Sequence, residues 1–297
     1  MTIEQLRIFV AVATALHVTR AARELGLTQS AASSAIAALE ARYSIKLFHR
    51  VGRRVELTEA GRIFLEEARS VLARAATAEQ TLDDLSGLVR GSLRIHASQT
   101  IANYWLPPIL FRWRAAYPGI ALALSIGNTA QVAAAVLDGS ADLGFIEGDV
   151  NQPELTRETV AGDRLLLVVG ARHPWAKLRK IQPRQLLDTD WVLREPGSGT
   201  RSEFEAALRR HGIAPQHLKI VLELPSNESV RAAVEAGTGA TVISELVASS
   251  SIRAGTLHQI ELAFPRRAFS VLRHRERYRS KAHLALMQFI AAGNPDA

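Results

Sequence analysis

The sequence predicts an α+β protein of several domains, and three patterns along the chain lead to this prediction. Residues 18–43 hold two alanine-rich helical segments on either side of a tight turn at Gly26. Residues 58–85 repeat apolar side chains at helical spacing without a proline. From residue 91 onward, short apolar strands alternate with helical segments, as they do in α/β folds. We therefore expect a helical head, a long linker helix and an α/β region.

Composition excludes several classes of protein. A chain of 297 residues is long enough for two or three domains. No apolar run reaches the roughly 18 residues of a membrane span, so we expect no membrane partner. The segment MTIEQLRIFVAVATAL contains an acidic residue and an arginine, which predicts a helix and not an export signal. The absence of cysteine rules out disulfides and thiolate metal sites and favours a cytoplasmic protein.

Charge and motifs favour a binding protein over an enzyme. The net charge of +7 favours a polyanionic partner, and residues 1–57 contain eight Lys or Arg against four Asp or Glu. The nine histidines form no HExxH motif and no cluster with metal spacing, and GxSxG is absent. Gly237-Thr238-Gly239 matches a dinucleotide loop only in part, because Val242 stands where the third glycine belongs. We predict no catalytic residue, no metal and no cofactor.

The head predicts a helix-turn-helix, in which the second helix of the motif enters a DNA major groove. Ala21, Ala22 and Leu25 would form the buried face of the first of these helices. Thr28 is placed to cap the second helix, whose free amides could hold a phosphate. Its inward residues would be Ala32, Ala35, Ile36 and Leu39. Its outward residues, whose side chains suit base edges, would be Gln29, Ser30, Ser33 and Ser34.

Residues 43–61 predict two short strands joined by a turn at Gly52, which together form a wing. Its arginines can enter a minor groove or clamp the DNA backbone. The alternative to a DNA-binding head is a small helical bundle with a solvent-exposed basic hairpin. The candidate DNA-binding residues are Thr19, Arg20, Thr28, Gln29, Ser30, Ser33, Ser34, Arg50, Arg53 and Arg54.

The linker helix shows a strict heptad repeat. Such a repeat is typical of a helix that pairs with another helix, whereas a helix packed on its own domain would drift toward a period of 3.6. The segment would span about 42 Å. We favour a dimerising helix that ends in a hinge near residues 87–91. The repeat consists of Phe64, Ala68, Val71, Ala75, Ala78, Leu82 and Leu85.

In the α/β region, polar residues follow strand ends and start helices. Their hydroxyls and amides, with one guanidinium, suit an anion. Ser and Thr are also ordinary helix caps, and the residues themselves leave both interpretations open. The candidate ligand-binding residues are Ser98, Gln99, Thr100, Asn128, Ser198, Gly199, Thr200, Arg201, Ser226 and Asn227.

The stretches TRAARELGLTQSAASSAIAALE and IKLFHRVGRRVELTEAG resemble the winged helix-turn-helix of LysR-type transcriptional regulators. Length and downstream organisation extend the resemblance over the whole chain. Members with a segment like EPGSGTR (residues 195–201) include regulators of carbon fixation and of sulfur metabolism. The resemblance implies four partners: double-stranded DNA with a pseudo-palindromic promoter site, a small effector, RNA polymerase, and further copies of the chain in a homodimer or homotetramer.

The resemblance also implies a two-lobed effector domain similar to periplasmic binding proteins. The expected domains are the DNA-binding head (1–58), the linker helix and hinge (59–90) and the effector domain (91–297). Lobe I would contain residues 91–161 and 265–297, and lobe II residues 162–264. Because such a fold places the candidate helix starts around a cleft, it favours the ligand interpretation, with a small oxyanion, carboxylate or phosphorylated metabolite as effector.

Three positions depart from the usual family pattern. His17 stands where a serine normally caps the first helix of the motif, and imidazole is a poorer cap. Ser44 replaces a glycine at the end of the recognition helix, where a left-handed residue is often needed. Ser34 replaces a longer polar residue, which bears on which bases are contacted.

Overall fold

The computed structural model describes residues 1–52, 54–85, 91–262 and 264–293, with the main chain only at 80 and 83. One compact unit contains Met1–Ser86 with Leu137–Ser140, and the other contains Gly87–Val136 with Ala141–Ala297. Most of the predicted hinge lies outside the described residues.

The N-terminal unit is a three-helix head with a hairpin and a long fourth helix. Leu6 and Phe9 pack against Leu39 in its core. The Phe9 ring lies 5.4 Å from the ring of Phe48 and 4.9 Å from that of Phe64, so aromatic contacts fasten hairpin and fourth helix to the head. The elements are α1 (Ile3–Ala15), α2 (Val18–Glu24), α3 (Gln29–Tyr43), β1 (Phe48–Val51), β2 (Arg54–Leu57) and α4 (Glu59–Leu85).

His17 and Ser44, which depart from the family pattern, still serve as helix caps. His17 caps α2, because its Nδ1 accepts a hydrogen bond from Arg20 N, although the distance of 3.4 Å is long. Ser44 ends α3 in a left-handed conformation with φ +54°. A side chain costs about 1–2 kcal/mol in that conformation, which is the reason for the glycine that the family pattern prefers.

The prediction that Leu25 is buried was wrong. Because α2 ends at Glu24, Leu25 is the C-cap residue and leaves the helical periodicity on which the prediction depended. Its side chain is exposed, while Ala21 and Ala22 are buried as expected.

The heptad repeat of α4 divides into two parts. Phe64 and Ala68 pack into the head core beside Leu6 and Phe9, so this end of the helix follows the alternative interpretation of packing on its own domain. Farther along, Val71, Leu82 and Leu85 are exposed, the last two to 68% and 76%. The distal part of the repeat therefore remains available to another helix.

The second unit is an α/β structure built on one sheet with the strand order β4-β3-β5-β11-β6-β9-β7-β8, with β10 paired to β6. One group of elements is β3 (Gly91–Ser98), a π-helical turn (Ile101–Trp105), α5 (Leu106–Ala116), β4 (Ile120–Gly127), α6 (Thr129–Asp138), β5 (Leu143–Glu147) and α10 (Lys281–Ala292). The other group is β7 (Asp190–Arg194), α7 (Gly199–Arg210), β8 (Lys219–Leu224), α8 (Asn227–Glu235), β9 (Ala240–Ser244), α9 (Glu245–Arg253) and β10 (Leu257–Ile260), with 3-10 turns at Pro174–Lys177, Pro183–Leu187 and Pro215–His217.

Two long antiparallel strands, β6 (Leu155–Gly170) and β11 (Arg266–His274), connect these groups. Val160 and Phe269 belong to the core of the first group, here called lobe I. Leu165 and Leu167 belong to the core of the second group, lobe II. The β6–β11 pairing shifts register between Phe269 and Ser270, which is typical of a β-bulge. β6 thus passes from one core to the other within a few residues.

The apolar pattern predicts strands within residues 92–98, 121–127, 141–147, 164–170, 191–195, 220–226, 240–244 and 269–273, and helices near 103–117, 129–138, 200–211 and 228–236. Each of these segments contains a strand or helix of the expected type, whereas the first half of β6, β10, α9 and α10 were not predicted. The first half of β6, LTRETVAGD, is mostly polar, so the apolar pattern that marks a strand is missing.

Within the described ranges, no helix is both long and apolar enough to cross a membrane. The same residues contain no group of three His, Asp or Glu side chains placed to hold a metal ion.

Replacing Ser44 with glycine should stabilise the head by about 0.5–1 kcal/mol, because glycine removes the left-handed penalty at the price of greater freedom in the unfolded chain. Urea unfolding of the full chain measures this change. The matched control Ala37→Gly lies on the exposed side of α3 and should destabilise by about 0.5–1 kcal/mol. A loss of stability in both variants would contradict the role assigned to Ser44.

Candidate functional site

The helix-turn-helix consists of α2, α3 and the turn between them. Gly26 has φ +69°, which glycine adopts without strain. Leu27 N donates to the carbonyl of Ala22 at 2.8 Å and closes the turn. The Thr28 hydroxyl accepts from Ala31 N at 3.2 Å and caps α3 as predicted. These contacts set the start and the direction of α3.

The outward side of α3 is polar near its N-terminus, while Ala32 and Ile36 are buried on the inward side. Gln29 Nε2 donates to Ser33 Oγ at 3.0 Å, which orients the amide and leaves one donor and one acceptor for a base edge. The polar side chains of this surface, all exposed except half-buried Ser33, are Thr28, Gln29, Ser30, Ser33 and Ser34.

The wing is a two-stranded hairpin in which Arg50 pairs with Val55 and Val51 with Arg54. Arg50 and Arg54 are exposed at its tip, beside Gly52. Arg53 lies outside the described residues. On α2, Thr19 and Arg20 are exposed, but Arg20 Nε already lies 3.1 Å from Glu24 Oε1. The two described arginines of the wing therefore present more available positive charge than Arg20 does.

The candidate ligand-binding residues come from both lobes, and three of them meet directly. Asn227 Nδ2 donates to Thr100 Oγ1 at 3.1 Å, and Asn227 N donates to Gln99 Oε1 at 2.9 Å. Gln99 Nε2 also donates to the Pro225 carbonyl at 2.7 Å. Since Gln99 and Thr100 follow β3 while Asn227 begins α8, these bonds join lobe I to lobe II.

Arg194 and Glu195 connect this group to Asn128. Neither is among the candidate ligand-binding residues, although Glu195 begins the segment EPGSGTR (residues 195–201). Arg194 Nη1 donates to Asn227 Oδ1 at 2.6 Å, and Asn128 Nδ2 donates to Glu195 Oε1 at 3.1 Å. Two further bonds, of 2.7 and 2.9 Å, join the Arg194 guanidinium to the Glu195 carboxylate. Burial by itself would raise the pKa of Glu195, but the hydrogen bonds from Arg194 and Asn128 outweigh it and lower that pKa below its usual value.

Ser98 and Thr200 meet a second group of buried charges. Ser98 Oγ donates to the carboxylate of Glu147. Arg267 Nη1 donates to Thr200 Oγ1 at 2.9 Å and lies 3.7 Å from Glu147 Oε1. Arg267 also binds both carboxylate oxygens of Asp163, at 2.8 and 2.6 Å. These charged residues are far apart in sequence, and no local pattern indicated them.

The start of α7 is packed against lobe I. A Cβ at Gly199 would overlap with the carbonyl oxygen of Glu147, and Ala130 N donates to the Gly197 carbonyl at 3.2 Å. Ser198 is buried, and its side chain makes no capping hydrogen bond. Only glycine fits at position 199 with the lobes this close.

Two candidates bind residues of their own lobe instead. Arg201 is held by the carboxylates of Glu205 and Glu223 and by the carbonyl of Arg194. Ser226 caps α8, since its hydroxyl accepts from Ser229 N at 3.0 Å. For Ser226, the capping alternative describes the observed contact.

Two family models match the chain. The model described as a bacterial regulatory helix-turn-helix protein of the lysR family matches residues 3–62. The model described as the LysR substrate binding domain matches residues 86–294.

Two relatives match most of the chain. The uncharacterized HTH-type transcriptional regulator YeiE of Escherichia coli (strain K12) is 34% identical over 296 residues, which cover 99% of this chain and 98% of YeiE. A probable RuBisCO transcriptional regulator of Cyanophora paradoxa is 34% identical over 286 residues, which cover 95% of this chain and 88% of that protein.

Two solved structures share the fold. Full-length CbnR complexed with its target DNA has a TM-score of 0.70 at 22% identity and covers 98% of this chain and 99% of its own. The regulatory domain of Synechocystis PCC6803 CcmR in complex with 2-PG has a TM-score of 0.63 at 25% identity, over 70% of this chain and 99% of that domain.

These matches confirm the resemblance, the fold class and the prediction of a regulator that is not an enzyme. The chain belongs to the LysR family of helix-turn-helix transcriptional regulators, with an N-terminal DNA-binding head and a C-terminal effector-binding domain.

Proposed function

We propose that this regulator responds to a small anionic effector that binds between lobe I and lobe II. The observation on which this proposal depends is the convergence of polar side chains from both lobes. Asn227 of lobe II contacts Thr100 of lobe I and Arg194 of its own lobe. A ligand that replaces these contacts interacts with both lobes at once, and so favours one arrangement of the lobes over another.

The chemistry of the cleft supports an anion. Hydroxyls, side-chain amides and a buried guanidinium meet there, and these are the donors that recognise carboxylates and phosphates. The CcmR regulatory domain, which shares 25% of aligned residues with this chain, binds 2-PG, which is 2-phosphoglycolate. We propose Ser98, Gln99, Thr100, Asn128, Ser198, Gly199, Thr200, Arg201, Ser226 and Asn227 as the surrounding residues, within an effector domain of residues 91–297.

On the DNA side, we propose that Gln29, Ser33 and Ser34 contact bases while Arg50 and Arg54 contact the backbone or a minor groove. A polar helix start beside a basic hairpin is the arrangement by which winged helix-turn-helix heads bind duplex DNA. The proposed head is residues 1–58, followed by a linker of residues 59–90, and Thr19, Arg20, Thr28, Ser30 and Arg53 complete the proposed DNA-binding set.

We further propose that the chain forms a homodimer or homotetramer through α4. Exposed Val71, Leu82 and Leu85 continue the heptad repeat beyond the head core. An apolar groove of about 490 Å³, lined in part by Tyr43, Ile45 and Ile63, lies at the other end of this helix. A second copy would cover both surfaces and place two heads on a pseudo-palindromic promoter, in the cytoplasm, where RNA polymerase is the further partner.

The DNA proposal predicts different outcomes for a base contact and a backbone contact. Gln29→Ala should change the preferred base at one position, with a loss of about 1–3 kcal/mol on the wild-type site. Arg54→Ala should weaken binding to all sequences alike and lower the slope of log K against log salt by about one. Selection from random DNA and salt titrations measure these effects. Arg172→Ala, an exposed lobe II arginine, is the control, and an equal loss there would contradict the assignment.

The effector proposal predicts that Thr100→Val weakens ligand binding at least tenfold and leaves DNA binding without ligand unchanged. Valine keeps the volume of threonine but removes the hydroxyl that this proposal places against the effector, a loss of about 1–3 kcal/mol. Thermal-shift titration of the full chain with 2-phosphoglycolate and with sulfate measures the affinity. Thr156→Val, on β6 of lobe I, is the matched control. Equal affinity in wild type and Thr100→Val would place the effector elsewhere.

The oligomer proposal predicts that Leu82→Lys shifts the chain toward a smaller species in sedimentation velocity, because it adds a charge to the exposed apolar seam. Glu79→Lys adds a lysine one turn away and should leave the sedimentation coefficient unchanged. If both variants sediment like wild type at every concentration, the seam is not the interface.

A further inference from the structure

Two arginines are almost fully buried in the effector domain, and their partners differ in exposure. The side chains of Arg267 and its partner Asp163 are both 1% exposed. Arg194 is 3% exposed, whereas its partner Glu195 is 24% exposed. A buried guanidinium needs an anion beside it. The anion beside Arg267 is sealed in, but the one beside Arg194 can be reached from solvent.

The Arg194–Glu195 pair has an unusual origin. Neighbouring side chains in a strand point to opposite faces, so two consecutive residues do not normally pair. Here β7 ends at Arg194 and the chain turns at once, with Ser198 N donating to the Glu195 carbonyl at 3.3 Å and Gly197 at φ +88°. The turn brings the Glu195 carboxylate back onto the guanidinium in a two-pronged pair.

The Glu195 carboxylate is surrounded by hydrogen-bond donors of the kind that bind an oxyanion. Its two oxygens receive three hydrogen bonds, from Arg194 Nε, Arg194 Nη2 and Asn128 Nδ2. The remaining Arg194 bond goes to Asn227, which binds Thr100. Glu195 thus occupies, within the proposed effector site, the position in which a ligand carboxylate, phosphate or sulfate would find the same donors.

We propose that Arg194 is the anion-receiving residue of the effector site, and that Glu195 is a built-in carboxylate which the anionic group of the effector displaces. This inference rests on the proposed function and names its chemistry: a small molecule with a carboxylate or a tetrahedral oxyanion. The exchange of one anion for another keeps Arg194 paired throughout. Displaced Glu195 moves into solvent, to which it is already partly exposed.

The displacement has two consequences. A tethered carboxylate competes at a high effective concentration, so it lowers the apparent affinity for every anionic ligand. It also couples binding to the turn after β7, because Gly197 in this turn contacts the main chain of lobe I at Ala130. Binding at Arg194 therefore acts on a contact between the lobes.

Arg201, the arginine expected from the sequence to bind the anion, is a weaker candidate. Two carboxylates, Glu205 and Glu223, hold its guanidinium. An effector would have to displace both of them, whereas only one tethered carboxylate competes for Arg194.

The experiment measures sulfate and 2-phosphoglycolate affinity of the full chain by calorimetry at constant ionic strength. Glu195→Ala should bind both anions at least tenfold more tightly than wild type, and Glu195→Gln should show a smaller gain because its amide is a weaker competitor. Adding Arg194→Gln to either variant should abolish the gain. If folded Glu195→Ala and Glu195→Gln, checked by circular dichroism, show no gain, the proposal is overturned.

Two control variants release other arginines. Glu223→Ala frees part of the Arg201 guanidinium. If this variant binds the two anions more tightly than wild type and Glu195→Ala does not, Arg201 is the anion-receiving residue and the proposal is overturned. Glu245→Ala frees the exposed Arg164, and an equal gain there would indicate nonspecific anion binding and also overturn it. Retained ligand binding that still depends on Thr100, without a gain in Glu195→Ala, would reject this inference while leaving the proposed function intact. Full affinity in Thr100→Val would reject the proposed site itself.

Discussion

The buried ion pair between Arg267 and Asp163 is the interaction on which the effector domain depends. It lies where β6 passes from the core of lobe I to that of lobe II and pairs with β11, and both side chains are shielded from water. Arg267 also binds Thr200 at the start of α7, and Ser244 Oγ at the end of β9 donates to Asp163 at 2.5 Å. Loss of one partner would leave an unpaired buried charge, which costs roughly 3–5 kcal/mol. One charged cluster thus sets how the connecting strands meet lobe II.

The two buried arginines of the effector domain have carboxylate partners that differ in exposure to water. Arg267 has a partner that water does not reach, so its pair is structural. Arg194 has a partly exposed, tethered partner, so its pair can be replaced by another anion without leaving the guanidinium unpaired. The Arg267 pair lies on the connecting strands and the Arg194 pair lies in lobe II, and both reach residues of lobe I, at Glu147 and at Asn128.

The head shows how local sequence patterns and packing combine. The turn at Gly26, the Thr28 cap and the outward polar residues of α3 follow from short-range rules, and the structure contains each of them. The linker helix is different. Its heptad repeat predicts one uniform seam, but the end nearest the head is covered by α1 and only the distal end is exposed. A heptad repeat shows which positions of a helix are apolar, but it does not show which partner covers them.

The helix-turn-helix, the candidate residues at strand ends and the order of helices and strands, apart from the first half of β6, β10, α9 and α10, were predictable from the sequence. Each of these features depends on periodicity or on neighbours within about four residues. The sequence also placed Gln99, Thr100, Asn128 and Asn227 among the candidates, because residues that start helices are recognisable locally. Tertiary structure alone decided that Asn227 meets Thr100, that Arg194 and not Arg201 joins this group, and that Glu195 turns back onto its neighbour. The physical reason is that these contacts depend on how two lobes pack and on buried hydrogen bonds between residues up to 127 positions apart in sequence, which no local pattern encodes.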